Sequence, residues 1–120
     1  MTFNPVKYDS NLYKGADFRF SFRIVRDGTT TDISGWTVTF RASARAGADS
    51  LIFDMSTGDS PAYIAVDDEN ICTITIPAAI TATLTQTGAM YYEIDTVNDA
   101  AEHDRRVYGT IFIHEDADAA

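Results

Sequence analysis

The chain has 120 residues, of which 45% are hydrophobic, and a formal net charge of −9. This length suits one domain that buries about two-thirds of its unfolded surface, and the apolar content excludes extensive disorder. The acidity excludes a nucleic-acid binder, which needs a basic footprint on phosphates, and no run approaches the ~20 apolar residues of a membrane helix.

In chain order, residues 1–14 combine Pro5 with scattered apolar side chains (Phe3, Val6, Tyr8, Leu12, Tyr13) and read as an N-terminal arm or edge strand. Met1–Pro5 lacks the basic patch and apolar stretch of a secretory signal, so the chain is expected to be made and kept soluble. A turn at Gly15-Ala16-Asp17 leads into the clearest strand, where Phe18, Phe20, Phe22 and Ile24 alternate with Arg19, Ser21, Arg23 and Val25. A period of two buries one face and wets the other. Arg26-Asp27-Gly28 is a hairpin signal, because Asp and Gly tolerate the positive φ of primed turns. After Asp32-Ile33-Ser34-Gly35, Trp36, Val38, Phe40 and Ala42 alternate with Thr37, Thr39, Arg41 and Ser43.

The small, glycine-containing stretch from Ala44 to Ser50 reads as a loop, and Leu51–Met55, Ala62–Val66 and Ile71–Ile76 as three further strands. Pro77 and the Ile80/Leu84 spacing predict a short helical turn within residues 77–84. Ala89–Val97 and Arg105–His114 are two long strands linked by the polar stretch Asn98–Asp104, and residues 115–120 form an acidic tail expected to be flexible. Seven to eight mostly antiparallel strands with turns between them predict an all-β domain over residues 15–114, an Ig-like β-sandwich in preference to an open barrel. The single cysteine, Cys72, shares parity with Ile74 and Ile76 and reads as a small buried hydrophobe.

No catalytic constellation emerges, and the chain is expected not to be an enzyme. Asp67-Asp68-Glu69-Asn70 lacks the alternating spacing and glycine of a calcium loop and reads as a solvated turn. Glu93 and Asp95 share a strand face at a Cα spacing of ~6–7 Å, within reach of a carboxylate pair, but nothing supplies a substrate cleft. His103 and His114 have no partners at ligand spacing, and no Gly-x-Ser-x-Gly elbow occurs. Neither a cofactor, a metal nor a small-molecule substrate is expected.

The charge is segregated: residues 1–45 carry a balance of +3 and residues 46–120 a balance of −12, with no basic side chain between Arg45 and Arg105. Faces of unlike sign would favour head-to-tail contacts between copies. The closing strand is apolar on both parities, Val107, Ile111 and Ile113 against Tyr108 and Phe112, and Tyr91 and Tyr92 point opposite ways before it. A lone sandwich strand should have one polar face, so a cover is expected from the arm or from another subunit. Asp104-Arg105-Arg106 is the compact basic spot of the acidic half, expected to pair with acids such as Glu102 or else to anchor a partner. The candidate interface comprises Phe3, Val6, Tyr8, Leu12, Tyr13, Tyr91, Arg105, Arg106, Tyr108 and Phe112.

Several motifs carry a resemblance. Gly15-Ala16-Asp17-Phe18, Asp32-Ile33-Ser34-Gly35-Trp36, Tyr92-Glu93-Ile94-Asp95 and Arg105 to Ile113 with Gly109 follow in order across residues 12–114. Their order and spacing resemble Ig-like modules of tailed-bacteriophage structural proteins, including the N-terminal domain of baseplate upper proteins. The resemblance implies a virion structural protein of tail, baseplate, neck or capsid, made in the host cytoplasm. It implies contacts with other virion proteins and copies of itself, and no catalytic residue. The alternative is a carbohydrate- or receptor-binding β-sandwich module that stacks sugars on Tyr63, Tyr91 or Tyr108.

Overall fold

A computed structural model describes residues 5–45, 50–59 and 63–115. In chain order the first five strands are β1 (Val6–Lys7), β2 (Ser10–Tyr13), β3 (Phe18–Phe22), β4 (Val25–Arg26) and β5 (Thr29–Thr30). They are followed by β6 (Thr37–Ser43), β7 (Leu51–Ser56), β8 (Ile64–Val66) and β9 (Cys72–Ile76). A helical turn α1 (Ala78–Thr81) then precedes the long strands β10 (Gly88–Val97) and β11 (His103–His114).

The period-two pattern is realised in the burial. In β9, Cys72, Ile74 and Ile76 are buried, and in β10 Met90, Tyr92, Ile94 and Thr96 are, while their neighbours are half-buried. On β11 Val107, Gly109, Ile111 and Ile113 turn inward. These strands make two sheets. The larger runs β1-β11-β10-β6-β7, with β2 also on β11, and the smaller runs β3-β9-β8. β4 and β5 form a separate hairpin around Asp27 and Gly28, whose φ angles of 54° and 78° match the expected turn. Every pairing is antiparallel except those of β1 and β2, which run parallel to β11.

One apolar core joins the sheets. Phe18, Ile64, Cys72, Ile74 and Ile76 of the smaller sheet pack with Val38, Phe40, Met90, Tyr92, Ile94 and Ile111 of the larger. The Tyr92 ring spans the interior, stacked on Phe40 at 5.9 Å between centroids and edge-on to Phe20 at 6.0 Å. Cys72 is fully buried, and burial pushes its thiol up to about 12, which leaves it protonated and unreactive at neutral pH.

Two side-chain staples hold the entry to β3. The Asp17 carboxylate accepts the Ala78 N–H at 2.8 Å and so satisfies an end of α1 from 61 residues away. Thr81, wholly buried, donates its hydroxyl to the Ala16 carbonyl at 2.8 Å and accepts the Gly15 N–H at 3.1 Å. The turn that opens the first clear strand and the helical turn of residues 77–84 are therefore one unit. Pro77 stands just before the helix, with φ −63° and ψ 153°, rather than at its first position. In the Asp32-Ile33-Ser34-Gly35 step, Asp32 accepts both the backbone and the hydroxyl of Ser34, and these bonds hold its carboxyl below the usual range. The tail beyond Glu115, most of the loop after Ala44 and the start of the expected strand at Ala62 lie outside the described residues.

Candidate interaction surface

The N-terminal segment is a paired edge strand in the plane of the larger sheet, not a free arm. β1 lies beside Val107 and Tyr108, and β2 beside Ile111 to His114. Between them the chain leaves the ladder at Tyr8 and Asp9, beside Gly109 and Thr110. Three hydrogen bonds fix that step. The Tyr8 N–H donates to the Tyr108 carbonyl at 2.9 Å, the Thr110 N–H donates to the Asp9 carboxylate at 3.0 Å, and the buried Tyr92 hydroxyl donates to the Tyr8 carbonyl. Burial, reinforced by Asp9, pushes the Tyr92 hydroxyl well above its ordinary range, so it stays a donor. A Cβ on Gly109 would come within 2.3 Å of the Tyr8 carbonyl oxygen and 2.9 Å of the Asp9 carboxylate. Glycine there is what lets the edge strand approach. Further along, the Lys14 N–H donates to the His114 carbonyl at 2.9 Å, and Tyr13 stacks on the His114 ring at 4.5 Å.

β3 is treated differently. It ends the smaller sheet, and no strand among the described residues pairs with its outer edge. Between it and β1 opens a groove of about 580 Å³, where Val6, Tyr8, Phe20, Phe22 and Val25 supply the apolar wall. Val6, Tyr8 and Val25 are 60%, 54% and 50% exposed, far beyond what a closed core would leave. Tyr8 meets Phe20 edge-on at 5.5 Å, and Phe20 reaches Phe22 at 6.5 Å, so the rings form a continuous floor. The charged side chains lining the groove are Arg19, Arg23 and Arg106, with no acid among them.

The outer face of the larger sheet carries an ion-pair lattice. Arg105 meets Glu93 at 2.8 Å and Asp95 at 4.0 Å, while Arg41 meets Asp54 at 3.4 Å and Asp95 at 3.7 Å. One Asp95 oxygen is buried without a hydrogen bond. Burial, then the nearby Glu93, raises its carboxyl above the usual range against the opposing pull of Arg105, Arg41 and His103. Glu93 and Asp95 are thus each paired with an arginine, and, against the expectation that no cleft lies here, Asp95 lines a cavity of about 480 Å³ with Arg41, His103 and Arg105. Among the described residues no His, Cys, Asp and Glu side chains converge as a metal-holding group.

Seven of the ten expected interface residues fall into three groups. Val6 and Tyr8 border the groove, and Tyr13 and Phe112 are 46% and 44% exposed elsewhere on the larger sheet. Tyr91 and Tyr108 are half-buried on the sheet's outer face beside Arg105, whose side chain is half-exposed. Two residues are corrected. Leu12 is 1% exposed and belongs to the core, because β2 turns it inward beside Ile113. Arg106 is 8% exposed. Its Nε donates to Thr96 at 2.9 Å, its guanidinium meets Asp104 at 3.4 Å, and it lies over the Trp36 ring at 5.7 Å. It closes one end of the groove and cannot reach out as an anchor. Phe3 lies outside the described residues.

Two further expectations change. Glu102 does not serve the arginines; it accepts from the Asn98 side chain at 2.8 Å inside the hairpin turn. Among the described residues the arm's strands pair with the edge of β11, and only Pro5 reaches the outer face, where it lines a cavity with Asp95 and Arg105. The groove, which joins two sheet ends distant in sequence, was not visible in any local pattern. The place of Val25 on an otherwise polar strand face, with Arg19, Ser21 and Arg23, was its one trace. No protein-family model matches the chain, and no curated protein matches it.

Proposed function

We propose that this chain is a bacteriophage virion structural module with an Ig-like β-sandwich fold, which works by protein–protein contact. The sheet orders support the fold. Taking β3, β6, β8, β9, β10 and β11 as the second to seventh strands of such a sandwich, with β7 an added edge strand beside β6, one sheet holds the second, fifth and fourth strands in that order, and the other holds the rest. A first strand switched onto the last, as β1 and β2 are on β11, suits the same scheme. The ordered motifs from Gly15 to Ile113 supply the virion context through their resemblance to phage structural modules.

The observation that carries the contact role is the open groove between β1 and β3, an apolar floor of about 580 Å³ beside an unpaired strand edge. Exposed apolar surface of this kind, flanked by free backbone groups, is suited to binding another polypeptide. A sugar-binding role draws less support, because Tyr63, Tyr91 and Tyr108 are each half-buried. Antiserum raised against the chain tests the reading on purified particles of the phage that encodes it. Labelling of intact virions is expected, and particles free of the chain would contradict it.

A further inference from the structure

We infer that the partner seated on the β1/β3 side is a second copy of this chain, presenting its β7/β8 side. This deepens the assembly reading and rests on it. The fold has two open sides, each made by the last strand of one sheet and the last strand of the other. On one side β1 and β3 flank the groove. On the other, β7 and β8 end their sheets.

The two sides are matched opposites. The groove side is apolar with arginines: Arg19 and Arg23 are exposed, Arg19 is paired with Asp17 at 3.2 Å, and among the described residues Arg23 has no ion pair. The β7/β8 side is also partly apolar, with Leu51 45% exposed and Ile52, Phe53, Tyr63 and Val66 half-buried. Its charges are mostly acidic: Asp59, Asp67, Asp68 and Glu69 are exposed, Asp54 is paired with Arg41, and the one basic residue in the flanking turns is Arg45, before β7. Apposing two groove sides would set arginine against arginine, and apposing two β7/β8 sides would set acid against acid. Only the unlike pairing matches both charge and apolar surface.

Such a contact is heterologous, head to tail, and propagates to a ring or a filament according to its rotation. Strand direction agrees. β3 and β8 both run antiparallel to β9, so β3 of one copy lies parallel to β8 of the next in a stacked array, and the three-stranded sheet continues across the joint. The free backbone groups of β3 are then satisfied by a neighbour.

The test is sedimentation of the full chain, from dilute to near-millimolar concentration, at low and high salt. The wild type is expected to grow in mass with concentration and to dissociate with salt, as screened charge pairing requires. Arg23→Glu and the double change Asp68→Lys with Glu69→Lys, all at exposed positions, are each expected to weaken association at least about tenfold. An equimolar mixture of the two variants is expected to regain it, because the reversed charges again face their opposites. Unchanged melting of each variant would show that folding is intact. Association that survives the acidic-side change, or a wild type that stays monomeric throughout, overturns the inference. A monomeric chain still found in purified particles overturns the self-contact and leaves the assembly reading standing.

Discussion

β11 and β3 end up at similar places in the fold, each next to the outer boundary of its sheet, yet the chain handles their edges in opposite ways. The β11 edge is covered by the protein's own N-terminal segment, held through Gly109, Tyr92 and Asp9. Among the described residues no strand pairs with the β3 edge, although an apolar floor of rings lies beside it. Exposed edges invite sheet-to-sheet association, and proteins usually blunt them. The arginines at Arg19 and Arg23 reduce indiscriminate pairing along β3 while favouring an acidic partner. The difference teaches that this fold spends its spare strand on one edge and keeps the other available.

The comparison can be broken most forcefully at Gly109. Gly109→Ala sets a Cβ against the Tyr8 carbonyl, and is expected to lower stability by about 2 kcal/mol through overpacking and lost pairing. Urea unfolding would read it, and a midpoint equal to wild type would show that the edge strand adjusts freely. Tyr92→Phe removes only the hydroxyl that donates to the Tyr8 carbonyl. About 1 kcal/mol is expected from that hydrogen bond, with faster amide exchange in β1 and none in β3.

The smallest effect concerns pH. Because burial raises Asp95 in the folded state, the folded protein binds its proton more tightly than the unfolded chain does. Its contribution to stability is therefore fully present below the unfolded carboxylate value of about 3.9 and is lost as pH rises through the folded value. Asp95→Asn lacks this titration. The stability of the wild type relative to the variant is expected to be greater at pH 4 than at pH 7, and the opposite trend in paired urea titrations would refute the assignment.

The strands were readable because their information is local. Phe18, Phe20 and Phe22 alternate with polar residues, and Cys72, Ile74 and Ile76 do the same. Asp27-Gly28 marked its hairpin through backbone chemistry alone. What escaped were pairings across long separations. Nothing near Asp17 signals Ala78, and nothing near Tyr8 signals Gly109, until the chain is folded. Leu12 and Arg106 were misjudged for related reasons. A lone leucine in a polar segment has no period to show its inward side, and an arginine beside Arg105 gives no sign of Thr96 and Trp36 beneath it. The groove is of this kind too, since it exists only where two sheet ends meet.

The central claim, that the β3 edge is the available one, is tested most directly by amide hydrogen exchange at low and high protein concentration. Slower exchange with concentration is expected in Phe18–Phe22 and Ile64–Val66, with Val6–Lys7 and Ser10–Tyr13 already paired to β11 and unchanged. Protection that rises along β1 and β2 while β3 stays as fast as in the dilute protein would contradict it.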